Sequence, residues 1–361
     1  MDPNAEHNEE TSQYQAQNIF GSALAALLLI LLLFTALLVA LSFPAGIYTV
    51  FFTHLSNSTA GTLENPFLWI GPVALVVPIP VATGVSFAIV LVIYIAMFTL
   101  AIFQGRSIPS AVASGLKKGF AELLSNRALL TLVAIGFLVF TAGLIDEVVV
   151  ATGAPIGNPF TGGDDLLTFV GLALAPLREE LGFRVLVIGI AAVVVTLPRP
   201  GMSATKAAES ALKTLWRPSV AYEGVDNNIL TLVVIWAASA VSAGTFGACH
   251  VACGGGGWEL GKLPEATYGG VVLAYLYIKY GFHVAVLAHW GIDYFPSVFA
   301  FYGQGVSGIP WASSPGYILQ QIVASDLSGI FGLACTLAVA YLGLTKLWKR
   351  ETPSEPPPSS I

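Results

Sequence analysis

Six ionisable residues sit inside segments that are otherwise almost wholly apolar. Glu179, Glu180 and Arg184 lie in LTFVGLALAPLREELGFRVLVIGIAAVVV, beside Arg178. His250 is the single ionisable group of VSAGTFGACHVACGGGG, and His289 and Asp293 belong to GFHVAVLAHWGIDYF. A charge in hydrocarbon costs several kcal/mol, so each of these groups needs a partner or a task. Two carboxylates, an arginine, two histidines and an aspartate make a set able to hydrolyse a peptide bond. A carboxylate and a histidine can activate water. A second histidine with a polar partner can stabilise an oxyanion.

Spacing sorts the set further. On a helix Glu180 and Arg184 are i, i+4 neighbours, so the arginine can neutralise or orient the glutamate. Glu179 is turned about 100° from Glu180 and is free to face a cavity. His289 and Asp293 also share a face, where the aspartate can fix the imidazole tautomer or stabilise its cation. His283, near the start of the same segment, is expected at the interface. Small residues precede His250 (Ser239, Ser242, Gly244, Gly247 and Ala248), so another backbone can approach closely. The alternatives are structural: an ion-pair staple for Glu180 and Arg184, and a satisfied core histidine for His250. Cys249 and Cys253 flank His250, but no second Cys or His cluster nearby completes a tetrahedral zinc set.

The elements that must position these residues are membrane helices. Of 361 residues, 55% are hydrophobic and 10% charged, with mean hydropathy +0.78. A soluble fold of this length carries roughly 25% charged residues. The solvent is therefore lipid, which excludes a cytosolic enzyme, a secreted domain and a nucleic-acid binder. The net charge of -6 and the absence of a basic patch agree that nucleic acid is no partner. The fold class expected is an all-α integral membrane protein with about eight transmembrane helices. They cover 20–43, 82–104, 128–146, 166–197, 229–252, 266–279, 282–302 and 326–346. The Pro-rich apolar stretch from Pro66 to Pro80 is expected to lie at the interface or re-enter. With both termini cytoplasmic, twelve of the fifteen basic residues fall on the inside, as the positive-inside rule requires. Residues 204–216 have the pattern of a basic amphipathic helix, although an ordinary connecting loop is the simpler reading.

The chain divides into a polar cytoplasmic tail over 1–18 and N-terminal membrane helices over 19–164. Catalytic core helices follow over 165–303, then a loop and last helix over 304–350. The Pro/Ser-rich tail over 351–361 is expected to be disordered. The protein is placed as a multi-pass integral membrane protein, in the cell membrane if the source is prokaryotic.

Three motifs now resemble a known family. Glu179-Glu180-Leu-Gly-Phe-Arg184 matches EExxxR, Phe246-Gly-Ala-Cys-His250 matches FxxxH, and His289-Trp-Gly-Ile-Asp293 matches HxxxN/D. In this order they are similar to those of the CPBP family, the type II CAAX prenyl proteases and their prokaryotic relatives. The resemblance implies an intramembrane endopeptidase acting on a membrane-associated, in some relatives prenylated, protein or peptide. By motif position Glu179 and His250 activate water, Glu180 and Arg184 support the first carboxylate, and His289 and Asp293 line the oxyanion side. A glutamic mechanism without a metal cofactor is preferred. Spacing leaves zinc open, with Glu179, His250 and His289 as its ligands. Asp293 stands where the family commonly has Asn. An ionised Asp would repel an oxyanion, so its expected action is through His289, keeping that ring cationic.

Other protease types fit less well. There is no HExxH and no GxGD; Gly305-Val306-Ser307-Gly308 copies a serine-type GxSG, but no histidine follows it and an outside loop is expected there. From other classes come a proton-coupled transporter, since buried Glu, His and Asp can relay protons, and a non-catalytic membrane scaffold or immunity protein of the same fold.

Overall fold

The computed structural model describes residues 3–58, 62–63, 67–71, 73–76, 81–157, 164–196, 202–223, 229–253, 257–310 and 315–351. It is a bundle of helices: α1 Pro3–Phe52, α2 Thr83–Phe103, α3 Ile108–Lys118 and α4 Arg127–Ala151 form the first part. α5 Asp165–Glu179 then runs without a break through a π-helical segment, Glu180–Gly189, into α6 Ile190–Thr196. α7 Ala204–Trp216, α8 Ile229–Ala252, α9 Lys262–Tyr280 and α10 Phe282–Ser307 follow. α11 Pro315–Ser325 continues through a second π-helical stretch, Asp326–Ile330, into α12 Phe331–Glu351.

Six helical stretches are long and apolar enough to cross a membrane: Ile19–Phe52, Thr83–Phe103, Arg127–Ala151, Ile229–Ala252, Phe282–Ser307 and Ile318–Thr345. They overlap six of the eight expected spans, which establishes an all-α membrane protein. The other two expected spans, 166–197 and 266–279, are helical but do not meet that measure. The first carries Arg178, Glu179, Glu180 and Arg184 in its middle, and α9 carries Lys262, Glu265 and Lys279. In the first, the charges that mark the candidate site are what set it apart from the other spans.

α10 is the axis of the bundle. It packs against α1, α2, α4, α5, α9 and α11, and Trp290, Tyr294, Phe295 and Val298 are fully buried along it. Trp290 stacks on Phe43 from α1 and meets Phe98 from α2 edge-on, with ring centroids 5.7 and 5.3 Å apart. Close approach elsewhere depends on small residues, as expected where lipid gives helices no hydrophobic drive to associate. A Cβ at Gly136 in α4 would come 2.9 Å from Phe331 of α12, and one at Gly270 in α9 would come 3.0 Å from Ala243 of α8. Asn126 starts α4: its Oδ1 accepts from Ala128 and Leu129 N–H, while its Nδ2 donates to the Ile102 and Arg106 carbonyls. One side chain thereby caps α4 and ties it to the end of α2.

Three local expectations change. The stretch from Pro66 to Pro80 contains a β-hairpin, strands Phe67–Ile70 and Val73–Val76, which lies against the Glu180–Gly189 segment. A second two-stranded pairing joins Thr62–Leu63 to Val81–Ala82. Residues 204–216 form a helix rather than a plain loop, capped where Ser203 Oγ accepts from Lys206 N–H. The GxSG copy closes α10 instead of lying in a loop, with Ser307 Oγ donating to the Gly303 carbonyl. The expected tail beyond Glu351 lies outside the described residues.

The glycine contacts make a paired prediction on one helix. Gly136→Val should destabilise the α4–α12 packing by about 1–3 kcal/mol, the usual result of overpacking. Gly143→Ala, on the same helix with nothing within 4 Å of a Cβ, should be neutral or stabilising by about 0.5–1 kcal/mol. Thermal unfolding in detergent compares the two.

Candidate active site

The site is built where α5, α8 and α10 meet. Pro176 interrupts the hydrogen-bond ladder of α5 near its end, and four residues further on the chain enters the π-helical turn. There Glu180 and Arg184 are both fully buried, with Arg184 Nε 3.2 Å from Glu180 Oε2. No hydrogen bond joins the Arg184 nitrogens to that oxygen, so the contact is a charge pair. The guanidinium rests instead on the Phe246 ring, 4.3 Å from its centroid. Cation–π contact of this kind strengthens where water is excluded.

His289, on α10, is the centre of the cluster. Its Nδ1 lies 2.9 Å from Glu180 Oε1, and its Nε2 lies 3.2 Å from Asp293 Oδ2 and 3.7 Å from Glu179 Oε2. Three carboxylates on two elements therefore face one imidazole. The ring is buried, while the side chains of Glu179 and Asp293 keep 17% and 23% of their exposure. Glu180 has none. Glu179 and Asp293 are thus the partly exposed carboxylates of the cluster.

His250 occupies the last turn of α8, which runs as one α-helix from Ile229 to Ala252. It makes no ion pair with a carboxylate among the described residues. Its Nδ1 is 2.8 Å from the Phe246 carbonyl. A carbonyl can only accept, so Nδ1 carries the proton and Nε2 keeps a free lone pair in the neutral ring. Phe246 joins the two histidines: its ring meets His250 at 4.7 Å and His289 at 5.8 Å between centroids, both edge-on. Phe183 closes the other side of Phe246 at 5.2 Å.

Two successive carbonyls of the π-helical turn accept donors from outside it. The Gly182 carbonyl accepts from Gly71 N–H at the tip of the hairpin, at 3.3 Å. The Phe183 carbonyl accepts from the Ser242 hydroxyl of α8, at 2.7 Å. Gly71 has φ +55, a left-handed conformation that suits glycine.

Of the six sequence-selected residues, the structure brings Glu179, Glu180, Arg184, His289 and Asp293 into one connected cluster. His250 joins through Phe246. The pairings expected within helices, Glu180 with Arg184 and His289 with Asp293, both form. The bond between His289 and Glu180 joins different elements, and no spacing announced it. Phe183, Ser242 and Gly71 were also missed as site neighbours; only the run of small residues before His250 hinted at a close approach. His283, expected at the interface, is instead fully buried and stacked on Trp216 at 5.4 Å. Among the described residues no group of three or more His, Cys, Asp or Glu side chains is arranged to hold a metal ion. Within the suggested zinc set, His289 Nε2 lies 3.7 Å from Glu179 Oε2, and His250 bonds its own helix through Nδ1 alone.

Comparison with protein families distinguishes among uses of such a cluster. Residues 164–295 match the family model for Rce1-like type II CAAX prenyl endopeptidases. This is the family that the three motifs resemble, and the matched domain contains all six residues. Comparison with curated proteins and with solved structures returns no match. The match supports, at the level of the family, a membrane endopeptidase acting on a membrane-associated protein.

Removing one partner of the buried pair leaves an uncompensated charge. Arg184→Ala should cost about 3–5 kcal/mol of stability. Combined with Glu180→Ala it should cost less than the sum of the two singles, because the orphaned carboxylate is gone. Thermal unfolding of the four proteins in detergent gives the cycle.

Proposed function

We propose that the protein is an intramembrane endopeptidase of glutamic type, and that the histidine shared among three carboxylates carries the reading. Glu179 is the general base and takes a proton from water. His250 Nε2, left as an acceptor by the bond at Nδ1, holds the same water. The hydroxide so formed adds to the scissile carbonyl, and Glu179 then returns its proton to the amide nitrogen as the C–N bond breaks and the amine leaves. His289 donates Nδ1–H to Glu180 and is held as a cation by Glu180 and Asp293, so positive charge lies beside the developing oxyanion. Asp293 thus acts through His289, which accounts for an acidic residue where the family commonly has an amide. Arg184 offsets Glu180, so the second glutamate can remain ionised and orient the imidazole. The proposed substrate is a membrane-associated protein of prenylated CAAX type, and no metal is assigned to the reaction. Both termini are assigned to the cytoplasm, on the distribution of basic residues.

A fluorogenic assay in detergent tests this, with a prenylated C-terminal peptide and a general peptide as substrates. Glu179→Ala and His250→Ala should each lose at least ~10²-fold in rate, as expected for groups in acid–base chemistry. Rates unchanged by either substitution would sink the proposal. Cleavage that a chelator abolishes and zinc restores would replace the glutamic type with a metallo type. No cleavage of any peptide, together with proton-driven flux in liposomes, would assign the buried carboxylates to transport. In the same assay Asp293→Asn should lower the rate and shift its pH profile, because the amide no longer holds His289 as a cation.

A further inference from the structure

The π-helical turn is where the site departs from ordinary helix. It closes its hydrogen bonds over five residues instead of four and is less stable than α-helix. Relaxation to α-helix would remove the extra residue from the turn. The two helix halves would then rotate about 100° relative to each other. Glu179 and Glu180 lie at the junction and would turn with one half, away from His289. Something must hold the unusual register, and two carbonyls within it are engaged from outside.

Ser242 is the better placed of the two donors. Serine and threonine inside membrane helices ordinarily bond the carbonyl four residues back on their own helix. Ser239 and Thr245, on either side, do this to Ile235 and Val241 at 2.7 and 2.8 Å. Ser242 is fully buried and departs from the habit, crossing from α8 to the Phe183 carbonyl at 2.7 Å. Phe183 is the residue before Arg184, and its ring packs on Phe246, which in turn touches both histidines. Gly71 N–H takes the neighbouring carbonyl.

We propose that Ser242 is a positioning residue for the reaction, its hydroxyl fixing the π-helical register in which Glu179 and Glu180 face His289. This rests on the endopeptidase reading above for its kinetic consequence, but not for its structural one. Ser242 touches neither substrate nor the reacting atoms. It differs from a simple staple between helices because what it holds is the register of the carboxylates, so its loss should fall on kcat rather than on KM.

The test compares Ser242→Ala, Ser242→Thr and Ser239→Ala in the full-length protein in detergent. Ser242→Ala should lower kcat about 10-fold, the effect of one lost hydrogen bond on a barrier, with KM within about twofold. Ser242→Thr keeps the hydroxyl and should restore most of kcat. Ser239→Ala, equivalent in chemistry but bonded to its own helix, should leave kcat unchanged. Deuterium uptake by peptides covering Glu180–Gly189 should rise in Ser242→Ala and not in Ser239→Ala. That readout holds even if no peptide is cleaved, so failure of the endopeptidase reading is distinguishable from failure of this one. If Ser242→Ala does not accumulate folded, Ser242→Cys, a weaker donor, should give an intermediate effect on both measures. The idea is overturned if uptake and kcat match the wild type, if Ser239→Ala loses as much, or if threonine fails to rescue.

Discussion

The site depends on one buried electrostatic balance. In a membrane-spanning bundle, Glu180 is buried with both Arg184 and His289 lying against it. Glu180 is fully buried, 3.2 Å from Arg184 and 2.9 Å from His289. Taking such charges out of water costs several kcal/mol each, and only close geometry returns it. Each member is therefore constrained by the others. Arg184 rests on Phe246, Phe246 contacts both histidines, and His289 gathers Glu179 and Asp293 on its second nitrogen.

The surrounding fold serves this balance by fixing backbone. α10 delivers His289 and Asp293 from the most buried helix of the bundle, so neither group can drift toward lipid. α8 delivers His250 from its last turn and Ser242 from two turns earlier. The Glu180–Gly189 turn brings both glutamates round to α10, and its carbonyls find donors in α8 and in the hairpin tip. A site on rigid elements holds its groups more closely than one on loops. Here the one irregular element is bound on both sides.

Graded exposure gives the cluster a direction. Glu180 has no exposure, His289 little, and Glu179 and Asp293 more. The pair of Glu180 and Arg184 is on the inside, and the two partly exposed carboxylates are on the outside. Of the two carboxylates assigned to hold the imidazole, Glu180 is buried while Asp293 is partly exposed, as is Glu179, the group assigned to take the proton. His250 keeps a lone pair on Nε2, since its Nδ1 is occupied by the Phe246 carbonyl.

Much of this was legible in the sequence, because charge is so scarce in it. With 10% of residues charged, the positions that lipid forbids stood out, and all six lie within the matched endopeptidase domain. Helix periodicity gave the pairs Glu180–Arg184 and His289–Asp293, since i, i+4 contact is a property of one helix alone. The count of eight spans was less secure, because the helices of two expected spans carry three or more charged residues each. The hairpin at Phe67–Val76 was hidden, since apolar runs broken by proline look alike whether they re-enter or pair. Contacts between elements belong to the tertiary structure alone: His289 against Glu180, Ser242 against the Phe183 carbonyl, Gly71 against Gly182. A sequence determines which groups a helix carries and on which face. The register of one helix against another is decided by how small residues let backbones approach, and that sum is made only when the whole bundle packs.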